Sequence, residues 1–202
     1  MKIDEKLAII IPHLNFSGIN DLLNDIEGQQ GIEYHVFLIN SGNLEIEKQF
    51  SKRINLTSFY FEKNQGVARA WNIGLNKAIE SGYRNFLWLN DDLRLENVDV
   101  LCNTMMGIRE GFCVTTTPEG MWGWFFGYNY DAFLRIGEFD ERFYPCFFED
   151  NDISDRLKEI KILFREISGI SHLGSQTAKD FQEYKASNRL IYQAKKNYYE
   201  RT

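Results

Sequence analysis

Several features that mark specialised protein classes are missing from this sequence. Only three of its 202 residues are cysteine, and Cys102, Cys113 and Cys146 lie far apart without a CxxC or Cys–His pattern. Cysteines scattered in this way favour free thiols in a reducing compartment over disulfides or a metal cluster. No apolar run approaches the roughly 20 residues of a membrane span. The N-terminal stretch MKIDEK is too charged for a signal peptide, so we expect a cytoplasmic protein.

Positive charge is also in short supply. The net charge of −6 argues against nucleic acid as a partner. The exception is the segment from Lys179 to Thr202, where six Lys or Arg residues face three Asp or Glu residues. With 44% hydrophobic and 15% aromatic residues, and without an internal repeat or linker, the chain is expected to form one domain over residues 1–202.

The first half of the chain alternates apolar runs with amphipathic segments. The runs predict strands at Leu7–Pro12, Tyr34–Asn40, Leu56–Glu62 and Asn85–Leu89. Helices are predicted between them at Gly18–Gln29, Leu44–Arg53 and Val67–Ser81. This order predicts a parallel, doubly wound sheet. Because ligands of such sheets bind beyond the carboxyl ends of the strands, the polar turns at 12–15, 40–43, 64–66 and 90–92 are candidate ligand contacts.

The second half is richer in aromatic residues. Met121–Tyr130 (MWGWFFGYNY) and the loop Gly137–Phe148 supply aromatic surface, which suits either core packing or stacking against sugar rings. Further elements are predicted at Val98–Arg109, Phe112–Thr117, Asp131–Ile136, a helix from Asn151, Ile162–Glu166 and a final helix at Ala178–Tyr199.

Three polar groups in this pattern could take part in catalysis or metal binding. Asn90-Asp91-Asp92 directly follows a strand, where two carboxylates can hold Mg²⁺ or Mn²⁺, although a solvated turn is the simpler alternative. Glu149-Asp150 lies beside aromatic residues at a helix start, where an acid is either a general base or a helix cap. His172 stands in a Gly/Ser loop and could be a third metal ligand or a structural histidine. His35, inside a predicted strand, looks structural; His13, beside the Pro12 turn, also looks structural and could at most touch a ligand.

A resemblance extends from about Leu7 to His172. The ordered set AIIIPHLN, FLINSGN, NQGVARAWNIGL, FLWLNDDL, GYNYDAFLRIGEFDERFYPCFFEDNDISDRL and SHLGS resembles the inverting glycosyltransferases of family 2. Within that family it is most similar to the rhamnosyltransferase-like branch. The resemblance implies a single-domain GT-A (nucleotide-diphospho-sugar transferase) fold of α/β class, with a mostly parallel, Rossmann-like sheet flanked by helices. It further implies a nucleotide-binding half over about 1–95, an acceptor and catalytic half over about 96–177 and a C-terminal helix at about 178–200.

The resemblance also implies a role for each motif residue. Asp150 would be the general base with Glu149 beside it, and Asp92 and His172 would hold Mn²⁺ or Mg²⁺. Trp122, Trp124 and Tyr144 are candidates for stacking on the acceptor. The nucleotide-sugar contacts would be Pro12, Asn15, Asn40, Asn64, Gly66, Asn72, Asn90 and Asp91. The family usually has Asp where Asn40 and Asn90 stand, which leaves the strength of donor and metal binding open.

The implied reaction is a single displacement that inverts the anomeric carbon. The donor would be a dTDP- or UDP-linked sugar, with rhamnose as the first candidate. The acceptor would be a hydroxyl of a glycan or lipid-linked glycan. We expect the final helix to bury Phe181, Tyr184, Leu190, Ile191, Ala194 and Tyr198. Its basic residues Lys185, Arg189, Lys195, Lys196 and Arg201 would then be solvated or contact anionic lipid at the inner face of a membrane.

Three other functions remain open from the sequence. A non-catalytic nucleotide-sugar or glycan-binding domain would explain why amides stand at Asn40 and Asn90. A nucleotidyltransferase would need a basic, Gly-rich phosphate loop after the first strand, and PHLNFSGIN contains no Lys or Arg. A module of a larger glycan-building complex has no positive support.

Overall fold

The structure is a computed structural model and describes residues 6–42, 45–118, 123–174 and 178–199. Its strands are β1 Leu7–His13, β2 Tyr34–Asn40, β3 Leu56–Tyr60, β4 Asn85–Leu89, β5 Leu93–Leu95, β6 Cys113–Thr115, β7 Phe125–Asn129, β8 Phe164–Glu166 and β9 Ile170–His172. Its helices are α1 Ile19–Glu27, α2 Glu45–Phe50, α3 Val67–Glu80, α4 Val100–Arg109, α5 Tyr130–Ile136, α6 Glu149–Glu159 and α7 Lys185–Tyr199, which follows a 3-10 segment at Ala178–Tyr184.

The main sheet has seven strands in the order β3-β2-β1-β4-β7-β6-β8. Strands β3, β2, β1 and β4 are parallel, as the strand–helix alternation predicts, and β7 runs antiparallel to both β4 and β6. The carboxyl ends of β1, β2 and β4 therefore meet at one edge of the sheet. The predicted α/β class and mostly parallel sheet are confirmed.

Hydrophobic residues pack on both faces of this sheet. Alternate residues of β1 point to opposite faces: Ile9 and Ile11 join the cluster under α1, α2 and α4, whereas Ala8 and Ile10 join the cluster under α3, α5 and α6. A strand buried on both faces reads as a continuous apolar run, which is why LAIIIP was recognisable in the sequence.

Much of the predicted aromatic surface lies in the core. Phe125 and Tyr128 are fully buried in β7, and Phe143 of the aromatic loop is also fully buried. The Trp88 ring of β4 stacks on Phe126 with ring centroids 5.0 Å apart. This stretch therefore forms an internal strand, which leaves few of its aromatic rings for contact with a sugar.

His172 lies in a strand, although the Gly/Ser-rich context predicted a loop. It ends β9, which pairs antiparallel with β5, so that His172 lies opposite Leu93. Each strand of this two-stranded sheet has three residues. The pairing fixes His172 beside the turn that follows β4.

The packing of α7 differs from the predicted apolar face. Leu190 is 68% exposed and Tyr184 38% exposed, while the helix contacts the protein through Asn188, Tyr192 and Lys195. The side chain of Tyr198 and the whole of Arg201 lie outside the described residues. Hydrogen bonds and ion pairs, which hydrophobic periodicity does not detect, orient this helix. Among the described helices, none has both the length and the apolar character to cross a membrane.

Candidate active site

A cavity of about 500 Å³ opens at the carboxyl edge of the parallel strands. The turns after β1, β2 and β4, the start of α3, the turn before α6 and the segment 178–189 form its walls. Parallel α/β sheets bind ligands at this edge, so the cavity lies where the topology predicts a site.

A buried His–Asp pair lies at the end of β1. A hydrogen bond of 2.8 Å joins His13 Nδ1 and Asp91 Oδ2, and the two side chains are 1% and 8% exposed. Burial raises the pKa of the Asp91 carboxyl, and the hydrogen bond to His13 opposes that shift. His13 Nε2 is buried and has no hydrogen-bond partner among the described residues. Asp91 therefore orients His13, which lines the cavity and for which the sequence had left a ligand contact open.

The next wall brings Asp92 and His172 together. His172 Nε2 lies 3.2 Å from Asp92 Oδ1, and the Leu173 N–H donates to the Asp92 carbonyl at 2.9 Å. The Trp124 ring stacks on the imidazole with centroids 4.9 Å apart and planes 1° from parallel. The β5–β9 pairing thus holds Asp92 and His172, which are distant in sequence, next to each other.

These donors fit a divalent cation in chemical type. A carboxylate oxygen and an imidazole nitrogen both suit Mn²⁺. The neighbouring Asn90 Oδ1 is buried without a hydrogen-bond partner among the described residues, and it would add an amide oxygen. Within the described ranges, no group of three or more His, Cys, Asp or Glu residues is placed to hold a metal on its own. A bound cation would need oxygens from another source, such as a diphosphate.

The turn before α3 packs closely on the aromatic loop. Gly66 has a φ of 76°, and its N–H donates to Asn64 Oδ1 at 2.9 Å. A Cβ at Gly66 would lie 2.8 Å from the Tyr144 ring, and the Val67 N–H donates to the Pro145 carbonyl at 2.7 Å. Only glycine fits this position, both because of its left-handed backbone and because of the ring beside it.

The acid pair begins α6 after two strained residues. Phe147 and Phe148 have φ values of 83° and 75°, a conformation that costs free energy for residues other than glycine. Asp150 accepts hydrogen bonds from the N–H groups of Gly123 at 3.1 Å and Asn151 at 2.8 Å. Gly123 allows this approach, since a Cβ there would lie 2.9 Å from the Asp150 Cβ.

Both acids of this pair hold their protons more tightly than usual. Burial raises the pKa of Glu149 well above its ordinary value, and the neighbouring Asp150 charge raises it further. Burial also raises the pKa of Asp150, although its backbone hydrogen bonds oppose the shift. A carboxyl group whose pKa is raised by burial beside a cavity has the property of a general base that works near neutral pH.

The start of α7 closes the remaining wall. Lys185 and Arg189 line the cavity, and their charged ends lie 5.5 Å and 5.8 Å from the ring centres of Phe147 and Phe148. Sequence reasoning had placed both residues on a solvated or lipid-facing side. Lys195 is not free for lipid either, because it pairs with Asp140 and Asp152.

Most of the predicted site residues line this one cavity. Those that do are Pro12, Asn64, Gly66, Asn90, Asp91, Asp92, Trp124, Glu149, Asp150 and His172. Trp122 lies outside the described residues. Asn15, Asn40, Asn72 and Tyr144 do not line the cavity.

Three asparagines that were predicted to contact the nucleotide do not line the cavity and make local contacts. Asn72 Oδ1 accepts from the Phe139 N–H at 2.9 Å and its Nδ2 donates to the Phe139 carbonyl at 3.0 Å, so this side chain fixes a loop. Asn40 Oδ1 accepts from the Gly42 N–H at 2.9 Å and thereby closes the turn after β2. Asn15, with a φ of 55°, is exposed to solvent and lies beside the same turn. A polar residue after a strand often satisfies the backbone there, which the sequence could not separate from ligand binding.

Tyr144 precedes the cavity-lining Pro145 but does not line the cavity itself. Its ring is 47% exposed and contacts Tyr184 edge-on, with centroids 6.3 Å apart. Of the two predicted acceptor residues that the structure describes, Trp124 lines the cavity and Tyr144 does not.

Comparison in sequence identifies no relative: no known protein family matches the chain, and no curated protein matches it. Comparison of structures does. A mannosyltransferase from Pyrobaculum calidifontis, PcManGT, in complex with GDP-Man and Mn²⁺, aligns with a TM-score of 0.70 at 14% identity, over 94% of this chain and 63% of that one.

Two further structures align at similar quality. TarS of S. aureus aligns with a TM-score of 0.67 at 17% identity, over 89% of this chain and 38% of that one. GalNAc-T7 with UDP, GalNAc and Mn²⁺ aligns with a TM-score of 0.66 at 13% identity, over 83% of this chain and 43% of that one. The chain thus spans between 38% and 63% of the length of these proteins. It has the GT-A fold of nucleotide-sugar glycosyltransferases.

Proposed function

We propose that this protein is an inverting glycosyltransferase that moves a sugar from a nucleoside diphosphate onto an acceptor hydroxyl. One observation carries the proposal. Asp150, whose pKa is raised by burial, lines the same cavity as the Asp92–His172 pair. A base and a candidate diphosphate site in one cavity are the two parts that a single-displacement transfer requires.

Asp150 would remove the proton of the acceptor hydroxyl as its oxygen attacks the anomeric carbon. The N–H groups of Gly123 and Asn151 hold the carboxylate in one orientation. Attack from the side opposite the leaving diphosphate inverts the anomeric configuration. Glu149 is buried next to Asp150, and burial together with the Asp150 charge raises its pKa well above the ordinary value, which favours the neutral form of Glu149.

The donor end of the cavity would lie at β1 and β4. Asp92 and His172 would hold a divalent cation, which when bound neutralises the diphosphate as it leaves. Pro12 and Ser41 would line the nucleoside pocket. The similar structures that contain GDP-Man or UDP together with Mn²⁺ support a donor of this class. The motif resemblance supports three finer parts of the proposal. These are membership of family 2, a dTDP- or UDP-linked donor sugar with rhamnose as the first candidate, and a glycan or lipid-linked acceptor.

Nucleotide binding tests the proposal directly. We expect one of UDP, dTDP and GDP to raise the melting temperature in the presence of Mn²⁺ and to lose that effect when EDTA is added. Ligand at about 100 times its Kd stabilises by about 2.7 kcal/mol, or several degrees for a chain of this size. Hydrolysis of the matching nucleotide sugar would then show catalysis. Absence of any nucleotide effect would contradict the proposal.

A second candidate is a non-catalytic nucleotide-sugar or glycan-binding domain of the same fold. Two observations favour it: Asn90 stands where the related motif has an acid, and Asn40 is used to close a turn. This reading predicts nucleotide binding without donor hydrolysis and no effect of Asp150→Asn on any turnover. The raised pKa of Asp150 in an open cavity favours the catalytic reading instead.

A further inference from the structure

Two basic side chains of the cavity have no part in the chemistry proposed above. Lys185 and Arg189 lie one helical turn apart at the start of α7, and both line the cavity. Neither makes an ion pair with another residue in the part of the chain that the structure describes. They therefore offer two uncompensated positive charges to whatever enters.

The next cation along α7, Lys195, has different surroundings. The Lys195 ammonium lies 2.9 Å from Asp140 Oδ2 and 2.5 Å from Asp152 Oδ1, and its side chain is only 17% exposed. Where α7 meets the body of the protein, its charge is neutralised by neighbouring carboxylates. Where α7 faces the cavity, none of the described carboxylates forms an ion pair with Lys185 or Arg189.

The two cations are attached to the turn that carries the acid pair. The Lys185 ammonium lies 5.5 Å from the centre of the Phe147 ring and the Arg189 guanidinium 5.8 Å from that of Phe148. Cation–aromatic contacts at this range favour these positions of the charged groups. Phe148 directly precedes Glu149-Asp150, so an anion held by these groups would lie on the acceptor side, near the hydroxyl that Asp150 deprotonates.

Acidic and basic groups lie on different elements around the cavity. Asp92 and His172 lie on the walls from β4 and β9, Glu149 and Asp150 begin α6, and the two cations lie on the wall from α7. An Arg fork can bind two phosphate oxygens at once, and a Lys ammonium adds a point charge. We propose that Lys185 and Arg189 form a subsite for a phosphate group carried by the acceptor, beside the hydroxyl that receives the sugar. This inference rests on the proposed glycosyltransferase function. The subsite binds the phosphate group non-covalently, so that no bond is made or broken there.

The test separates the subsite from the donor site. The variant Lys185→Ala/Arg189→Ala is compared with wild type, with the charge-conserving variant Lys185→Arg/Arg189→Lys, and with Lys196→Ala. Lys196 is exposed on the same helix but does not line this cavity, so it controls for loss of charge. Calorimetry first measures the affinity of the protein for UDP, dTDP and GDP in the presence of Mn²⁺. The full-length protein saturated with the best of these nucleotides is then titrated with glycerol 3-phosphate, with glycerol as the neutral probe, and followed by ³¹P NMR.

We expect glycerol 3-phosphate to bind the wild type, and the double alanine variant to bind it about tenfold more weakly, since two charge-assisted contacts are lost. The conservative variant and Lys196→Ala should keep the binding, and nucleotide affinity should stay within about twofold, since the donor contacts lie on another wall. Vesicles of phosphatidylcholine with and without phosphatidic acid distinguish the source of the phosphate. Stronger binding to phosphatidic acid than to glycerol 3-phosphate would assign a lipid phosphate, and the reverse a soluble one.

Three kinds of result would overturn the inference. Loss of nucleotide affinity in the double alanine variant would assign the cations to the donor diphosphate. Equal phosphate binding by all variants, or no phosphate binding by a wild type that binds nucleotide, would remove the subsite. If no nucleotide binds at all, the proposed function fails and the inference falls with it, which is a different outcome from the other two.

Discussion

The loop at 137–148 carries Asp140 near its start and is followed directly by Glu149 and Asp150, and the surroundings of these acids differ. Near its start, Asp140 accepts hydrogen bonds from Arg142 at 2.6 Å and Lys195 at 2.9 Å. The Arg142 guanidinium holds the pKa of that carboxyl well below its usual range, with Lys195 adding to the effect. At its end, Glu149 and Asp150 have no ion-pair partner among the described residues, and burial raises the pKa of both.

The difference separates a carboxylate that supports the fold from one that is available for chemistry. A paired carboxylate is ionised in the folded protein and stabilises it. An unpaired, buried carboxylate costs stability when it ionises, but it accepts a proton more readily. The cations of α7 are distributed accordingly: Lys195 pairs with the structural acid Asp140, and none of the described α7 cations forms an ion pair with Glu149 or Asp150. Each prediction below removes one side of this contrast.

The largest effect is expected from Asp150→Asn. The substitution keeps the shape of the side chain but removes the base, so turnover should fall by about 100-fold to 10,000-fold. Nucleotide affinity should be nearly unchanged, so the loss appears in kcat. Single-turnover assays together with calorimetry would measure both. A variant that keeps more than half of the turnover would assign the base to Glu149 instead.

Next in size is the difference between Asp92→Ala and Asp91→Ala. Asp92 faces His172 at the proposed cation site, so its loss should weaken Mn²⁺-dependent nucleotide binding by about tenfold to 100-fold. Asp91 is hydrogen bonded to His13 in the interior, so its loss should mainly lower the free energy of unfolding. Calorimetry with and without EDTA, beside denaturant titration, separates the two effects. Identical behaviour of both variants would show that this geometry does not divide their roles.

A smaller effect is expected at the structural acid. Lys195→Met keeps the length of the side chain but leaves Asp140 and Asp152 without one cation. We expect the free energy of unfolding at pH 7 to fall by about 1–2 kcal/mol, less than for a fully buried pair because Arg142 and Arg156 remain.

The sign of its pH dependence follows from the lowered pKa of Asp140. The stabilisation is present above the unfolded pKa of about 3.9 and is lost as pH falls toward the folded value. Wild type and Lys195→Met should therefore converge in stability on acidification, as denaturant titration at pH 7 and pH 3 would show. Turnover should change little, and a loss as large as that of Asp150→Asn would contradict a structural role.

The parallel sheet was the most predictable part of the protein. Three of its four parallel strands, β1, β2 and β4, include several apolar residues in succession, because they are buried on both faces of the sheet. The cavity followed from the same pattern, since the turns after these strands share one edge. Asp92, Asp150 and His172 were found through motif resemblance, and the structure brings all three to that cavity.

What the sequence missed depends on contacts between distant residues. The pairing of β5 with β9 joins two three-residue strands, too short to show a period, so His172 was assigned to a loop. Lys185 and Arg189 look like a solvated face until α7 is docked, and it is docked by Asn188, whose amide donates to the carbonyls of Tyr144 and Cys146. His13 gave no local signal, because its partner Asp91 belongs to another strand's turn.

The smallest effect, and the one that tests the contrast most directly, is expected from Glu149→Gln. Glu149 is 6% exposed, and its Oε2 has no hydrogen-bond partner among the described residues. Its folded pKa is raised, so its favourable contribution is present below the unfolded pKa of about 4.3 and is lost as pH rises through the folded value. A neutral amide removes the cost of ionising this group, and we expect a gain of about 1 kcal/mol at pH 8 and a smaller gain at pH 5. Denaturant titration at the two pH values measures the difference, and turnover measured beside it should exceed that of Asp150→Asn. An equal gain at both pH values would mean that packing, and not the buried charge, distinguishes this acid from Asp140.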